Sequence, residues 1–336
     1  MPEVPSDGRA FMKALKAAER LLEKRIEEIN AINVFPVPDG DTGINMFLTL
    51  QSATAAGENL ATTSVSEVSA KVARGALLGA RGNSGVILSQ ILRGIAKGLE
   101  MKECFSSADL AYALCCASET AYRAVAHPME GTILTVIREA SEVAEQQVAR
   151  GASLKQTMAA VTANAQDTVR RTQDMLPKLT EAGVVDAGGK GLFYIFLGMR
   201  NAISRKISRP ADCKITVTAG KSVEGNNGYG FDLQFLVEGK DLPLEVMRQK
   251  IGDMGESVLV VGDDCLIRVH IHTKEPQAVL DYSATFGALR DINLENMDEQ
   301  VEQLRQKKIF KEKIRDRYRS DATSLGRREI SFPSEI

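Results

Sequence analysis

A chain of 336 residues with 44% hydrophobic and 26% charged residues and a formal net charge of −2 has the profile of a soluble globular protein, and at roughly 100–200 residues per domain it has material for two domains. The near-neutral charge supplies no basic field for nucleic acid, and 5% aromatic residues without Trp offer few stacking surfaces for single strands. No run approaches the roughly 18 apolar residues of a membrane helix, MPEVPSDGRA lacks an apolar signal core, and five cysteines form neither a disulfide framework nor a CxxC pair; the expectation is a cytoplasmic chain whose thiols are reduced and mostly in the core.

From Arg9 to about Ser204 the apolar pattern is helical. Phe11, Leu15, Leu22, Ile26 and Ile29 fall on one face of a first helix. Further helices are predicted over 44–56, 66–79, 84–100, 107–125, 132–150, 153–174 and 190–204, several starting at small polar residues such as Ser66, Ser84 and Ser107. With the first segment this makes eight, which suggests an all-α bundle or a closed helical barrel. Pro210 then punctuates the chain, and the apolar period changes to 2. Strand, helix, strand, strand, helix and strand follow at 228–238, 243–254, 257–261, 265–272, 276–285 and 287–293, the order of a split βαβ, ferredoxin-like α+β domain. KITVT (214–218) reads as an extra strand, 295–318 as a charged amphipathic helix, and the remaining tail as frayed. The expected organisation is a helical domain at 8–205, a linker at 206–214, the α+β domain at 215–300, and the charged helix and tail at 301–336.

Three glycine-rich punctuations stand out in the helical half. NVFPVPDGDTGINM (33–46) sets two aspartates ahead of an apolar run. A plain surface turn would leave both carboxylates solvated. A calcium loop starting at Asp39 fails, because Gly43, Ile44 and Leu50 stand where it needs an oxygen side chain, Gly and Glu. The remaining reading puts Asp39 and Asp41 at the mouth of a helix, where carboxylates would repel phosphate unless a divalent ion sat between them. Mg²⁺ accepts one or two carboxylates together with phosphate oxygens, so the pair suits an Mg²⁺–nucleotide site. GARGNSGVILSQIL (79–92) brings Gly82, Asn83, Ser84 and Gly85 to another helix start, and VVDAGGKGLFYIF (184–196) follows Asp186 with three glycines and Lys190. An ordinary capped helix and an interhelical hinge are the plain alternatives, and neither segment is a Walker loop. Three such starts in one helical domain point to a phosphate-binding rim.

NVFPVPDGDTGINM, GARGNSGVILSQILRG, PMEGTILTVIREA and DAGGKGLF, in that order, resemble the nucleotide-binding domain of the dihydroxyacetone kinase L-subunit type, in the version found in the bacterial fatty acid kinase catalytic subunit. The resemblance continues through GYGFDLQFLVEG, GESVLVVGDDCLIRVHIHT and LRDINLENM, covering about 9 to 300. It implies an all-α eight-helix barrel that binds Mg²⁺–ATP at one end, with Asp39 and Asp41 as metal ligands. Where simpler relatives have a third aspartate upstream, this chain offers amides, Asn30 or Asn33, and Asn33 is taken as the third ligand. It also assigns Thr42, Asn45, Gly82, Asn83, Ser84, Gly85, Thr132, Asp186, Gly188 and Gly189 to the nucleotide rim. The implied reaction phosphorylates a fatty acid held by a separate binding protein, giving an acyl phosphate. A carboxylate acceptor is already ionised, so no general base is needed, and Arg81 and Lys190 are candidate phosphate cations, each with surface solvation as its plain alternative. Longer members carry a third domain, so this chain is expected to be a short form or a fragment.

In RVHIHT, His270 and His272 alternate with apolar residues and share one strand face with Arg268. The pair can chelate, or can sit on a half-exposed face without metal. The resemblance implies a zinc-type site completed by a cysteine, with Asp232 at the matching position here. Cys265 falls by period on the inner face, and His127 reads as structural. The functional expectation is thus an ATP-dependent kinase subunit, with a nucleotide-binding regulator or scaffold and a dihydroxyacetone kinase-like phosphotransferase as alternatives. The expected partners are ATP, a fatty-acid-binding carrier protein and, as an option, a second copy of the chain.

Overall fold

The computed structural model describes residues 5–204, 228, 230–303 and 306. Its first half is helix-rich. Eight long helices, α1 (Gly8–Glu23), α3 (Thr42–Gly57), α4 (Val65–Gly79), α5 (Gly82–Gly98), α6 (Ser107–Ala124), α7 (Ile133–Ala149), α8 (Leu154–Met175) and α10 (Ala187–Ile203), are joined by short α2 (Ile26–Asn30) and α9 (Pro177–Ala182). All eight predicted helices are present. Each long helix packs on the next in the order α1, α3, α4, α5, α6, α7, α8, α10, and α10 returns to α1.

The helices form where apolar spacing and caps coincide. On α1 the residues Phe11, Leu15, Ala18 and Leu22 are buried, and the Asp7 carboxylate accepts the Ala10 N–H at 2.9 Å. Ser106 and Asp109 form a reciprocal capping box at the start of α6. The first predicted helix breaks at Lys24–Arg25 into α1 and α2. Leu22 and Ile29 belong to one core across that break, so the apolar spacing runs through it and conceals it. A two-stranded ribbon, β1 (Ser6–Asp7) with β2 (Cys104–Phe105), ties the chain start to the α5–α6 connection.

The second half is a small α/β domain of β3 (Phe231–Glu238), α11 (Leu244–Gly252), β4 (Glu256–Gly262), β5 (Leu266–Thr273), α12 (Pro276–Ala284) and β6 (Ala288–Asn296). Its sheet is antiparallel in the order β4-β5-β3-β6, as two interleaved βαβ units require. Alternation divides the sheet faces. Leu233, Phe235, Val260, Val269 and Ile271 pack with Met247 and Ile251 of α11 and Val279 of α12. Leu236, Leu259, Val261 and Leu266 point the other way and pack on Leu77, Ala80, Val86 and Ala124 of the helical half. Both faces of β5 are therefore buried, and the half-exposed face expected for the histidines is instead covered by helices. The expected strand at 214–218, the linker and most of the tail lie outside the described residues; helix is described from Met297 to residue 303 and at 306.

The thiols differ from expectation. Among the described cysteines Cys116 is buried, Cys115 is half-buried, and Cys104 and Cys265 are exposed. Cys265 precedes β5, in a turn where its N–H bonds the Asp263 carboxylate at 3.0 Å, so strand alternation does not extend to it.

Helices α5 and α6 approach most closely at Gly94 and Gly98, where a Cβ would run into the backbone of Ala117 or Ala113. Gly94→Ala is expected to cost about 1–3 kcal/mol by overpacking, in spite of alanine's higher helix propensity. Urea unfolding measures this, and unchanged or increased stability contradicts the packing described.

Candidate active site

The loop between α2 and α3 brings Asp39 and Asp41 to the start of α3. Buried Asn33 organises it: Nδ2 donates to the Val37 carbonyl at 3.2 Å and to the Asp39 carboxylate, while Oδ1 accepts the Thr42 hydroxyl. Asn30 instead accepts the Gly43 N–H at 2.7 Å, tying down the helix start. Of the two amides, Asn33 is the one that touches the aspartate pair. Burial, with the charges of Asp41 and Asp232, pushes the Asp39 carboxyl well above its ordinary range. Burial likewise raises Asp41, reinforced by Asp232 and Glu295 and opposed by hydrogen bonds to Asp39 and Asn45. No lysine or arginine contributes to either group's environment.

The other two glycine-rich tips meet this loop. Gly82 opens α5 with a φ of +56°; a Cβ there would be strained and would overlap the Asn45 side chain. Its N–H donates at 3.0 Å to Oε1 of Gln234 on β3. Asn83 and Ser84 follow in the first turn, whose N–H groups lack intrahelical partners. Thr132 caps α7, its hydroxyl accepting the Leu134 N–H at 3.3 Å. Asp186 caps α10, accepting the Gly189 N–H at 2.6 Å, and also bonds the Ile133 backbone, which joins the starts of α7 and α10. Burial raises its carboxyl to about 6 against those hydrogen bonds.

One cavity of about 1020 Å³ is lined by Asn33, Asp39, Asp41, Thr42, Gly82, Asn83, Ser84, Thr132, Asp186 and Gly188 from the helical half, with Asp232, His270 and His272 from the sheet. Asn45, Gly85 and Gly189 stand behind this lining: Asn45 beneath Gly82, Gly85 against Thr49, and Gly189 on Asp186. Arg81 is exposed and is not part of the lining. Lys190 is neither solvated nor in the cavity; it is fully buried and 2.8 Å from Glu28, which also accepts the Tyr194 hydroxyl. The cations that do line the cavity are Lys178 and Lys274, alongside His127 in the α6–α7 loop. Neither lysine lies in a glycine-rich motif, so the sequence held no signal for them.

Ligating atoms of Asp232, His270 and His272 lie within 4.8 Å of one another, with His270 Nδ1 3.1 Å from the Asp232 carboxylate. His270 holds Asp232 below its ordinary range against the effect of burial, while burial and His270 lower His272 to about 4. The two acidic groups, Asp39–Asp41 and Asp232, are close enough to perturb one another. In the sequence they read as separate sites on separate domains.

A DAK2 domain model matches residues 36–201, and a model for the middle domain of FakA-like fatty acid kinase proteins matches 228–304. The chain belongs to the FakA-like fatty acid kinase family, with a DAK2 domain ahead of that family's middle domain. Protein YloV of Bacillus subtilis is 38% identical over 309 residues, spanning 88% of this chain and 56% of that protein. An uncharacterized protein of Staphylococcus saprophyticus is 34% identical over 88% of this chain and 56% of its own length. The chain therefore spans little more than half the length of these curated relatives. The crystal structure of dihydroxyacetone kinase from C. freundii in complex with AMP-PNP and Mg²⁺ matches with a TM-score of 0.45 and 17% identity, over 60% of this chain and 35% of that one.

Asp186 supplies a pH signature. Its carboxyl titrates near 3.8 ordinarily and near 6 when folded, so between those values the folded state holds the extra proton and the group's contribution to stability falls as pH rises. Asp186→Asn cannot titrate. Relative to wild type it is expected to gain stability from about pH 4 to 6, by up to about 3 kcal/mol, in chemical denaturation. A flat or opposite difference contradicts the dominance of burial.

Proposed function

We propose that the cavity binds Mg²⁺–ATP and that the chain is a kinase subunit transferring the γ-phosphoryl group to the carboxylate of a fatty acid held by a separate carrier protein, giving an acyl phosphate. One observation carries this reading: the aspartate pair and the starts of α5 and α10 converge on a single cavity. The match to the FakA-like fatty acid kinase middle domain supports the choice of acceptor. On this reading the ring of eight helices is the barrel, and its site end receives the nucleotide.

The donors fit the metal. Asp39 and Asp41 are buried side by side, raised by burial and by neighbouring negative charge, so a dication satisfies both where a proton otherwise would. When bound, Mg²⁺ supplies charge neutralisation for the triphosphate. Asn33 fixes the Asp39 carboxylate through its amide, and Asn45 steadies Asp41. The first-turn N–H groups at Asn83 and Ser84 receive phosphate oxygens, with Thr42, Thr132, Asp186 and Gly188 completing the rim. Lys178 and Lys274 replace Arg81 and Lys190 as the cations available to the phosphates. The fatty carboxylate is already ionised near neutral pH, so the protein has no proton to remove. Its task is to orient the acceptor and exclude water. Asp232, His270 and His272 form an N, N, O set that suits zinc with one further ligand.

Acyl phosphate formation from Mg²⁺–ATP, a fatty acid and its carrier tests the reading. The wild-type chain is expected to turn over, and Asp39→Ala and Asp41→Ala to lose about 100-fold or more. Undiminished turnover in Asp39→Ala would overturn the site.

A further inference from the structure

The α4–α5 turn carries the second glycine-rich tip, and both of its ends are held by the neighbouring domain. Gln234 on β3 is buried and divides its amide: Oε1 accepts the Gly82 N–H at 3.0 Å, while Nε2 donates to the Asp232 carboxylate at 2.9 Å. Arg268 on β5 is also buried, and its guanidinium donates to the carbonyls of Leu78 at 2.9 Å and Leu77 at 3.4 Å, in the last turn of α4. An acceptor thus meets the N-terminal, positive end of α5, and a cation meets the C-terminal, negative end of α4. Both come from the same sheet face, on paired strands where Gln234 stands opposite His270 and Leu236 opposite Arg268. Between them Leu236, Leu259 and Val261 pack on Leu77, Ala80 and Val86, enclosing the turn in an interdomain core.

We propose that Gln234 and Arg268 are positioning residues of the kinase site: together they clamp the α4–α5 turn and fix the N–H groups of Asn83 and Ser84 in register with Asp39 and Asp41. The inference rests on the Mg²⁺–ATP reading above. Gln234 adds a link, because the side chain that holds Gly82 also holds Asp232. The cluster on the sheet and the glycine-rich tip are then parts of one hydrogen-bonded unit. An isolated helical half would retain the rim residues without their alignment.

The test compares Mg²⁺–ADP affinity by calorimetry in the full chain, together with hydrogen exchange at residues 82–85. Gln234→Leu and Arg268→Met are each expected to weaken binding about tenfold and to speed exchange at Gly82. Gln234→Glu, which keeps an oxygen for the Gly82 N–H, is expected to stay within about threefold of wild type. Arg74→Ala removes the exposed interdomain pair with Asp263, 3.2 Å long and away from the turn ends, and is expected to leave affinity unchanged. Wild-type affinity in both Gln234→Leu and Arg268→Met overturns the clamp alone, as does an equal loss in Arg74→Ala, which would indicate domain docking in general. Absence of nucleotide binding by wild type overturns the functional reading and the clamp with it.

Discussion

Like charge confined at low dielectric is the constraint on which this molecule turns. Asp39 and Asp41 stand together, largely withdrawn from water, with Asp232 adding a third negative charge from the opposite domain. Such a group is costly unless protons or a cation neutralise it. The surroundings maintain the arrangement: Asn33 grips Asp39, Thr42 grips Asn33, and Asn30 anchors the helix that begins beside them. A chain that keeps carboxylates together in this way is organised to hold positive charge, and the helix starts around them are organised to hold negative charge. The two demands meet in Mg²⁺–nucleotide.

The helical half alone does not enclose the site. The sheet face contributes Asp232, His270 and His272 to the cavity wall, and its apolar residues seal against α4, α5 and α6. Backbone pairing of Val125 with Leu259 draws the α6–α7 loop onto β4 as well. The α/β domain is therefore structural support and active-site wall at once. Its burial of β5 on both faces explains why a strand carrying Arg and two His is nevertheless interior.

Periodicity made the elements legible. Eight long helices and the strand–helix–strand–strand–helix–strand order were readable because each has one apolar face with the right repeat. The aspartate pair and the glycine-rich tips were legible because DGD and GNSG are chemically unusual ahead of apolar runs. What stayed hidden was tertiary. The glycines read as turns belong to first helical turns, and Gly43 is there because Ile26 and Asn30 press on it. Lys190 looked like a phosphate cation by its glycine neighbours, yet its partner Glu28 lies 162 residues earlier in the chain, and no local pattern encodes that ion pair. Gln234, which bonds a helix start 152 residues away, was invisible for the same reason. Cys265 was misplaced because alternation was extended one residue past the strand end.

The most direct measurement is calorimetric titration of ATP into the chain with Mg²⁺ and again in EDTA. If the paired carboxylates serve to tether the triphosphate through a dication, affinity falls at least about tenfold in EDTA, where carboxylates and phosphates repel. With Mg²⁺, binding near pH 6 releases protons, because the raised carboxyls must ionise to take the metal. Equal affinity in EDTA with no proton release would contradict the account.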